Sequence, residues 1–275
     1  MIKLTRLFIL TLILALLAAC GDSPGDKSSV NTLAGIDTNT PDGALKALIT
    51  SMRNNDVKAL MQASLSTEDY DKAIAEFEKT KSTPSESDNA QFMQTMSMLT
   101  SDGAEDQLMA MATPKLEQMR TQLPMLLMMG KGMASQAIQS SPDIPDGQKE
   151  TATKLIGALM DFVGENDILS EEVTRSAISA AISTAKSLDM ESLADLKNMS
   201  FDDAMSKASI AMGGAKNILG AYGISIDDLM SSVEISDVVE DGDNATMNLA
   251  YDFLGQTFNQ DVKMVKKEGK WITDK

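Results

Sequence analysis

Along the chain the spacing of apolar positions changes once, near Ser232. Before that point, from Thr40 onward, apolar residues recur at helical intervals; beyond it they alternate. Thr40-Pro41-Asp42 supplies an N-cap, a proline at the first helical position and an acid in the first turn. Ala44, Leu45, Leu48, Ile49 and Met52 follow on one helical face, which ends near Asn54-Asn55. A short helix over residues 56–63 carries Val57, Leu60 and Met61, and a third beginning at Ser66 aligns Tyr70, Ile74 and Phe77. The polar run at 82–88 breaks the pattern. Helical spacing then predicts helices over 89–99, 104–123, 125–138, 148–163, 171–188 and 201–222, with Pro124 among the breaks and Gly223 as the last stop.

Beyond Ser232 the reading is of strands. Val233 and Ile235 alternate, Asp241-Gly242-Asp243-Asn244 is a turn, and Ala245, Met247, Leu249, Tyr251 and Phe253 line one face of the next strand. Phe258, Val262, Met264 and Val265 mark another strand, and Glu268-Gly269 turns into Trp271-Ile272. An antiparallel meander of three to four strands over about 232–274 buries too little to stand alone, so helices must cover its apolar face. The expected class is α+β, mostly helical in its N-terminal and central region, with the sheet last.

The first 39 residues follow neither pattern. Lys3 and Arg6 precede an apolar run over residues 7–19, interrupted only by Thr11, and Ala18-Ala19 stand before Cys20. About 13 residues fall short of the roughly 20 that span a bilayer, so residues 1–19 read as a signal peptide. Cys20 is the single cysteine of a chain with no histidine, which leaves it neither a disulfide partner nor an imidazole to activate it. The window Leu17-Ala18-Ala19-Cys20 resembles a bacterial lipoprotein lipobox. That resemblance implies cleavage before Cys20, a diacylglycerol thioether on its sulfur and an acyl group on its new amine. With Gly21 and not aspartate in the next position, it also implies the outer membrane of a Gram-negative envelope, facing the periplasm. Residues 20–39, rich in Gly, Ser, Asp, Asn and Thr, read as a tether to one domain over 40–275.

Charge narrows the classes of partner. The chain carries 24 basic and 40 acidic residues. Without residues 1–19 the balance is 24 − 2 = 22 against 40, or −18. Such a surface repels nucleic acid and anionic headgroups. The absence of histidine and of a second cysteine rules out Ser-His-Asp and Cys-His nucleophiles and ordinary His/Cys zinc sites.

A second resemblance lies at the two ends of the domain. "TPDGALKALITSMRNNDVKALMQAS" (40–64) is similar to the opening helices of nuclear-transport-factor-2-like, or cystatin-like, domains, and "VKKEGKWITDK" (265–275) to their last hairpin, in which Trp271 would close the cone. The resemblance implies that fold for the ends. It leaves residues from about 85 to 228 as a large helical insertion that the family does not explain, and it carries over no catalytic residue.

Methionine is the one chemical peculiarity, at 21 residues. Met93, Met96 and Met98, then Met109 and Met111, then Met119, Met125, Met128, Met129 and Met133 lie in the predicted central helices. Thioethers ligate Cu(I), yet the same spacing builds an adaptable apolar face, and with no histidine to complete a site the apolar reading ranks above copper. Taken alone, "LPMLLMMGKGM" (123–133) reads first as a buried core helix in which Gly130 and Gly132 permit close approach, and second as a groove for acyl chains or a partner helix. The acidic pairs Glu171/Glu172, Asp202/Asp203 and Asp227/Asp228 sit in first turns of helices, where acids favour the macrodipole without catalysis. The expected function is therefore that of a non-enzymatic envelope lipoprotein. It is lipidated at Cys20, needs no cofactor, and binds an apolar ligand or a protein partner through Met125, Met128, Met129 and Met133. The alternatives are a carboxylate-dependent envelope hydrolase and a Met-based Cu(I) binder.

Overall fold

The computed structural model describes residues 35–80, 85–142, 144 and 146–274. The expected signal peptide, Cys20 and most of the expected tether lie outside the described residues. The architecture is α+β. Helices α1 (Pro41–Arg53), α2 (Val57–Ser64), α3 (Thr67–Thr80), α4 (Glu86–Thr100), α5 (Ala104–Ser140), α6 (Asp146–Glu165), α7 (Glu171–Leu188), α8 (Phe201–Ala221) and α9 (Ile226–Ser231) precede strands β1 (Glu234–Asp241), β2 (Asn244–Phe253), β3 (Gln256–Lys267) and β4 (Lys270–Thr273). A 3₁₀ turn over Leu193–Asn198, which the helical spacing does not announce, links α7 to α8.

Capping chemistry sets most helix starts. Thr40 Oγ1 accepts from Gly43 N at 3.2 Å, Asp56 Oδ1 from Ala59 N at 2.9 Å and Ser170 Oγ from Val173 N at 3.2 Å, each satisfying an amide that the first helical turn leaves free. At the end of α8, Gly223 takes a φ of 85°. Its amide bonds to Gly220 O at 2.9 Å and that of Ile224 to Leu219 O at 3.0 Å, the paired bonds of a Schellman stop.

The sheet is an antiparallel meander in the order β1-β2-β3-β4. The β2/β3 turn at Leu254-Gly255 and the β3/β4 turn at Glu268-Gly269 both place two consecutive residues at positive φ, the twist that tight hairpins demand. Between Ser236 and Val239, β1 carries one residue more than β2 opposite it, a bulge with Asp237 at φ 50°. Ala245 pairs with Met264 and Met247 with Val262, so these four point to one face. With Trp271 they form the main core against Ala44, Leu45, Ala47 and Leu48 of α1 and Leu60 and Ala63 of α2. Trp271 is fully buried, and its indole N–H donates to Asn39 O at 3.1 Å. A second cluster joins Leu65, Tyr70 and Phe201, with Ile74 and Phe77 alongside. The Phe201 ring meets those of Tyr70 and Phe77 edge-on at 5.9 and 5.6 Å.

Two lysines finish helices far from them in sequence. Lys216 Nζ donates to Met52 O at 2.6 Å and Arg53 O at 3.1 Å, closing the C-terminus of α1. Lys270 Nζ donates to Gln62 O and, at 2.7 Å, to Leu65 O, closing α2. Cations are favoured at these carbonyl ends.

Two sequence expectations need correction. The helices expected over 104–123 and 125–138 are one helix, α5, with Pro114 and Pro124 inside it. Each proline removes a backbone bond to the carbonyl four residues earlier, but Pro114, Pro124, Ala110 and Arg120 all lie exposed, where water can satisfy the freed carbonyls. The second correction is that residues 123–133 do not form a buried core helix. Only one side of this segment packs, against α6: a Cβ on Gly130 would lie 3.3 Å from Met160 Cε, and Leu127 Cδ1 lies against Gly164, whereas Gly132 faces open space. Gly130 thus does permit the close approach expected of it, and Gly132 does not.

Candidate functional site: the methionine face of α5

Helix α5 runs antiparallel to α6. From one end of the pair to the other, Gln139 Nε2 meets Thr153 Oγ1 at 3.4 Å, Lys131 Nζ meets Asp161 Oδ1 at 2.7 Å, and Arg120 Nη2 reaches Leu169 O at 2.9 Å and Asp167 Oδ1 at 3.3 Å. At its other end α5 is held to α7, where Arg175 bridges Glu105 at 2.8 Å and Asp106 at 3.1 Å. The two acids beside it hold that guanidinium firmly protonated.

These contacts fix which side of α5 faces out. Helical rotation of 100° per residue puts Leu116, Leu123, Leu127, Gly130 and Ala134 on the packed side and Met125, Met129 and Met133, at i, i+4 and i+8, on the opposite one. The relative exposures are Met128 78%, Met125 65%, Met133 62%, Leu126 59% and Met129 55%, values that exclude a core role for all five. Met119 extends the exposed apolar surface toward the N-terminus, Met111 is exposed beyond Lys115 on the same row, and Met96 and Met109 are buried. The expected methionine clusters are therefore of two kinds. Some, such as Met96 and Met109, fill gaps inside the helical region, and those between 119 and 133 form one apolar surface.

The face is also nearly free of charge. From residue 118 to residue 142 the only charged side chains are Arg120 and Lys131, both at the border with α6 and both paired there. The four predicted residues Met125, Met128, Met129 and Met133 lie on this one surface, and sequence reasoning overlooked Leu126, whose place between two methionines was the available signal.

The remaining chemistry is accounted for by structure. In each acidic pair one member is ion-paired: Glu171 with Arg175 at 3.6 Å, Asp202 with Lys58 at 2.7 Å and Asp227 with Lys216 at 2.5 Å. Asp241-Gly242-Asp243-Asn244 is the β1/β2 turn. Among the described residues, no group of three or more His, Cys, Asp or Glu side chains is arranged to hold a metal ion. A shallow cleft of about 440 Å³ between α7, α8 and α9 is lined by Ser176, Ser179, Ser183 and Asn217. The ammonium at its wall, Lys216, is already engaged by Met52 O, Arg53 O and Asp227.

No family model, curated protein or solved structure matches this chain. The case for a function therefore rests on the α5 surface itself. Among the described residues no helix is long and apolar enough to cross a membrane, α5 included.

Proposed function

We propose that this protein is a non-enzymatic lipoprotein of the bacterial envelope, anchored through acylated Cys20, that binds an apolar ligand or protein partner through the methionine face of α5. The observation that carries the reading is the exposure of Met125, Leu126, Met128, Met129 and Met133 on one side of one helix, with no charge among them. Contiguous exposed apolar surface marks binding sites, and flexible thioethers suit partners of varied shape. In the same reading α1, α2 and the meander are a nuclear-transport-factor-2-like core and the helices between are its insertion; the burial of Trp271 between sheet and α1 supports this.

Thermal unfolding and dye binding together test the site. Replacing Met125, Met128 and Met129 by Gln should change stability by no more than about 0.5 kcal/mol per site, since the side chains are largely exposed already. Binding of an environment-sensitive apolar dye to the parent should fall at least tenfold in the triple variant. A parent that binds no dye, or a variant that loses several kcal/mol, would return these residues to a packing role.

A Cu(I) site on the same row makes a different prediction, because Met125, Met129 and Met133 are successive neighbours on the helix surface. Replacement by Leu would then abolish Cu(I) uptake while leaving dye binding intact.

The anchor is tested separately. Cys20→Ser should abolish incorporation of labelled fatty acid and leave the protein out of the outer-membrane fraction. Undiminished labelling would remove the lipobox reading without touching the α5 site.

A further inference from the structure

Resting on the reading just given, we propose that the occupant of the α5 face is a zwitterionic lipid bilayer surface, with Met125, Leu126, Met128, Met129 and Met133 inserted at the boundary between headgroups and acyl chains. Three observations point there.

The first is the local charge. A chain with net charge −16 is repelled by anionic membranes, yet from Glu117 to Asp143 there is no acidic side chain along α5. Within α5 that strip, residues 118–140, is about 35 Å long at 1.5 Å per residue. The two cations within it, Arg120 and Lys131, are turned to the α6 side and neutralised by Asp167 and Asp161. The surface left facing out is uncharged, and this suits zwitterionic better than anionic lipid.

The second is the chain outside the described residues. The apolar run at 7–19 and Cys20 precede Gly35 by only about 15 residues, a reach of at most roughly 50 Å at full extension. That is comparable with the length of α5, about 55 Å. A domain held this close to a bilayer meets it repeatedly, so a weak apolar face gains from the high effective concentration.

The third is the shape of the face. The exposed residues lie along the side of a helix whose other side is packed on α6, which makes a ridge and not a concave pocket. A ridge of flexible, mostly unbranched apolar side chains matches the interfacial plane, where a helix buries one face by a few ångströms.

The test uses the lipidated protein in vesicles of phosphatidylcholine with and without brominated acyl chains. With the Cys20 sulfur closed as a thioether, Met128→Cys supplies the single free thiol and carries a bimane label, and a Val239→Cys variant on exposed β1 carries the same label as reference. The expected result is at least twofold stronger quenching by brominated lipid at residue 128 than at residue 239, and loss of the difference when Met125 and Met129 are also replaced by Gln. No quenching at residue 128, or equal quenching at 128 and 239, overturns the proposal. If residue 128 escapes the lipid while the apolar dye still binds the face, the bilayer is excluded and the ligand or protein reading stands alone. If the dye fails as well, both fall.

Discussion

Lys270 illustrates how a single side chain joins the two ends of the molecule. Its ammonium sits over the C-terminal carbonyls of α2, and burial pulls its pKa down to about 8, the nearby Glu268 carboxylate opposing in part. In the unfolded chain the value returns toward 10.5. Between those limits the unfolded state binds more protons, so the stability contributed at this position rises as the pH rises from about 8 to 10.5. Below pH 8 both states are charged and the cost of burying the cation is fully present. In urea unfolding, the stability of the parent relative to Lys270→Met should therefore increase by about 2 kcal/mol between pH 7.5 and 9.5. A difference that stays flat would mean that the amine is better solvated than its surroundings suggest. The N-caps Thr40, Asp56 and Ser170 were legible in the sequence because a cap and its amide are three residues apart. The lysine caps were not, because 164 and 208 residues separate Lys216 and Lys270 from their acceptors Met52 and Gln62.

Among the elements, α7 and α8 approach one another closely. Gly214 lies against Thr184, and a Cβ there would collide with the threonine's Oγ1 and Cγ2. Gly214→Ala should then cost about 1–3 kcal/mol despite its higher helix propensity, through overpacking at the crossing. Adding Thr184→Ala should recover part of that loss, a non-additivity that a double-mutant cycle reads directly. Full additivity would show that the helices separate freely. Helix spacing was legible wherever it was local, and α7 begins and ends where its apolar period does. What periodicity could not convey is which side of a helix another element covers. The row Met125, Met129, Met133 and the row Leu123, Leu127, Gly130 are both apolar, so the sequence reads as buried throughout, and only the pairing with α6 tells the two rows apart. Pro124 misled for a related reason: a helix can carry an internal proline at the cost of a ring clash and a lost bond, and that cost is lower where, as here, the freed carbonyl can turn to water.

For the whole molecule, the alternation in β2 was enough to anticipate both the sheet and its cover, because five apolar residues on one face of a small meander cannot be left in water. The cover is α1 and α2, from the opposite end of the domain. A chain ending at Met230 should accordingly lose the N-terminal helices as well as the sheet. Circular dichroism and proteolysis should find residues 41–64 unprotected, with no cooperative melting in that segment. If the truncated chain melts at the parent's temperature, α1 and α2 fold with the helical region alone.

That placement of Trp271 also fixes the order in which the molecule can be completed. A polypeptide emerging from its N-terminus exposes the apolar sides of α1 and α2 until the indole arrives more than 200 residues later. Closing a loop of that length is slow, so the protein stays open through nearly the whole of its synthesis or passage and locks only with the last strand.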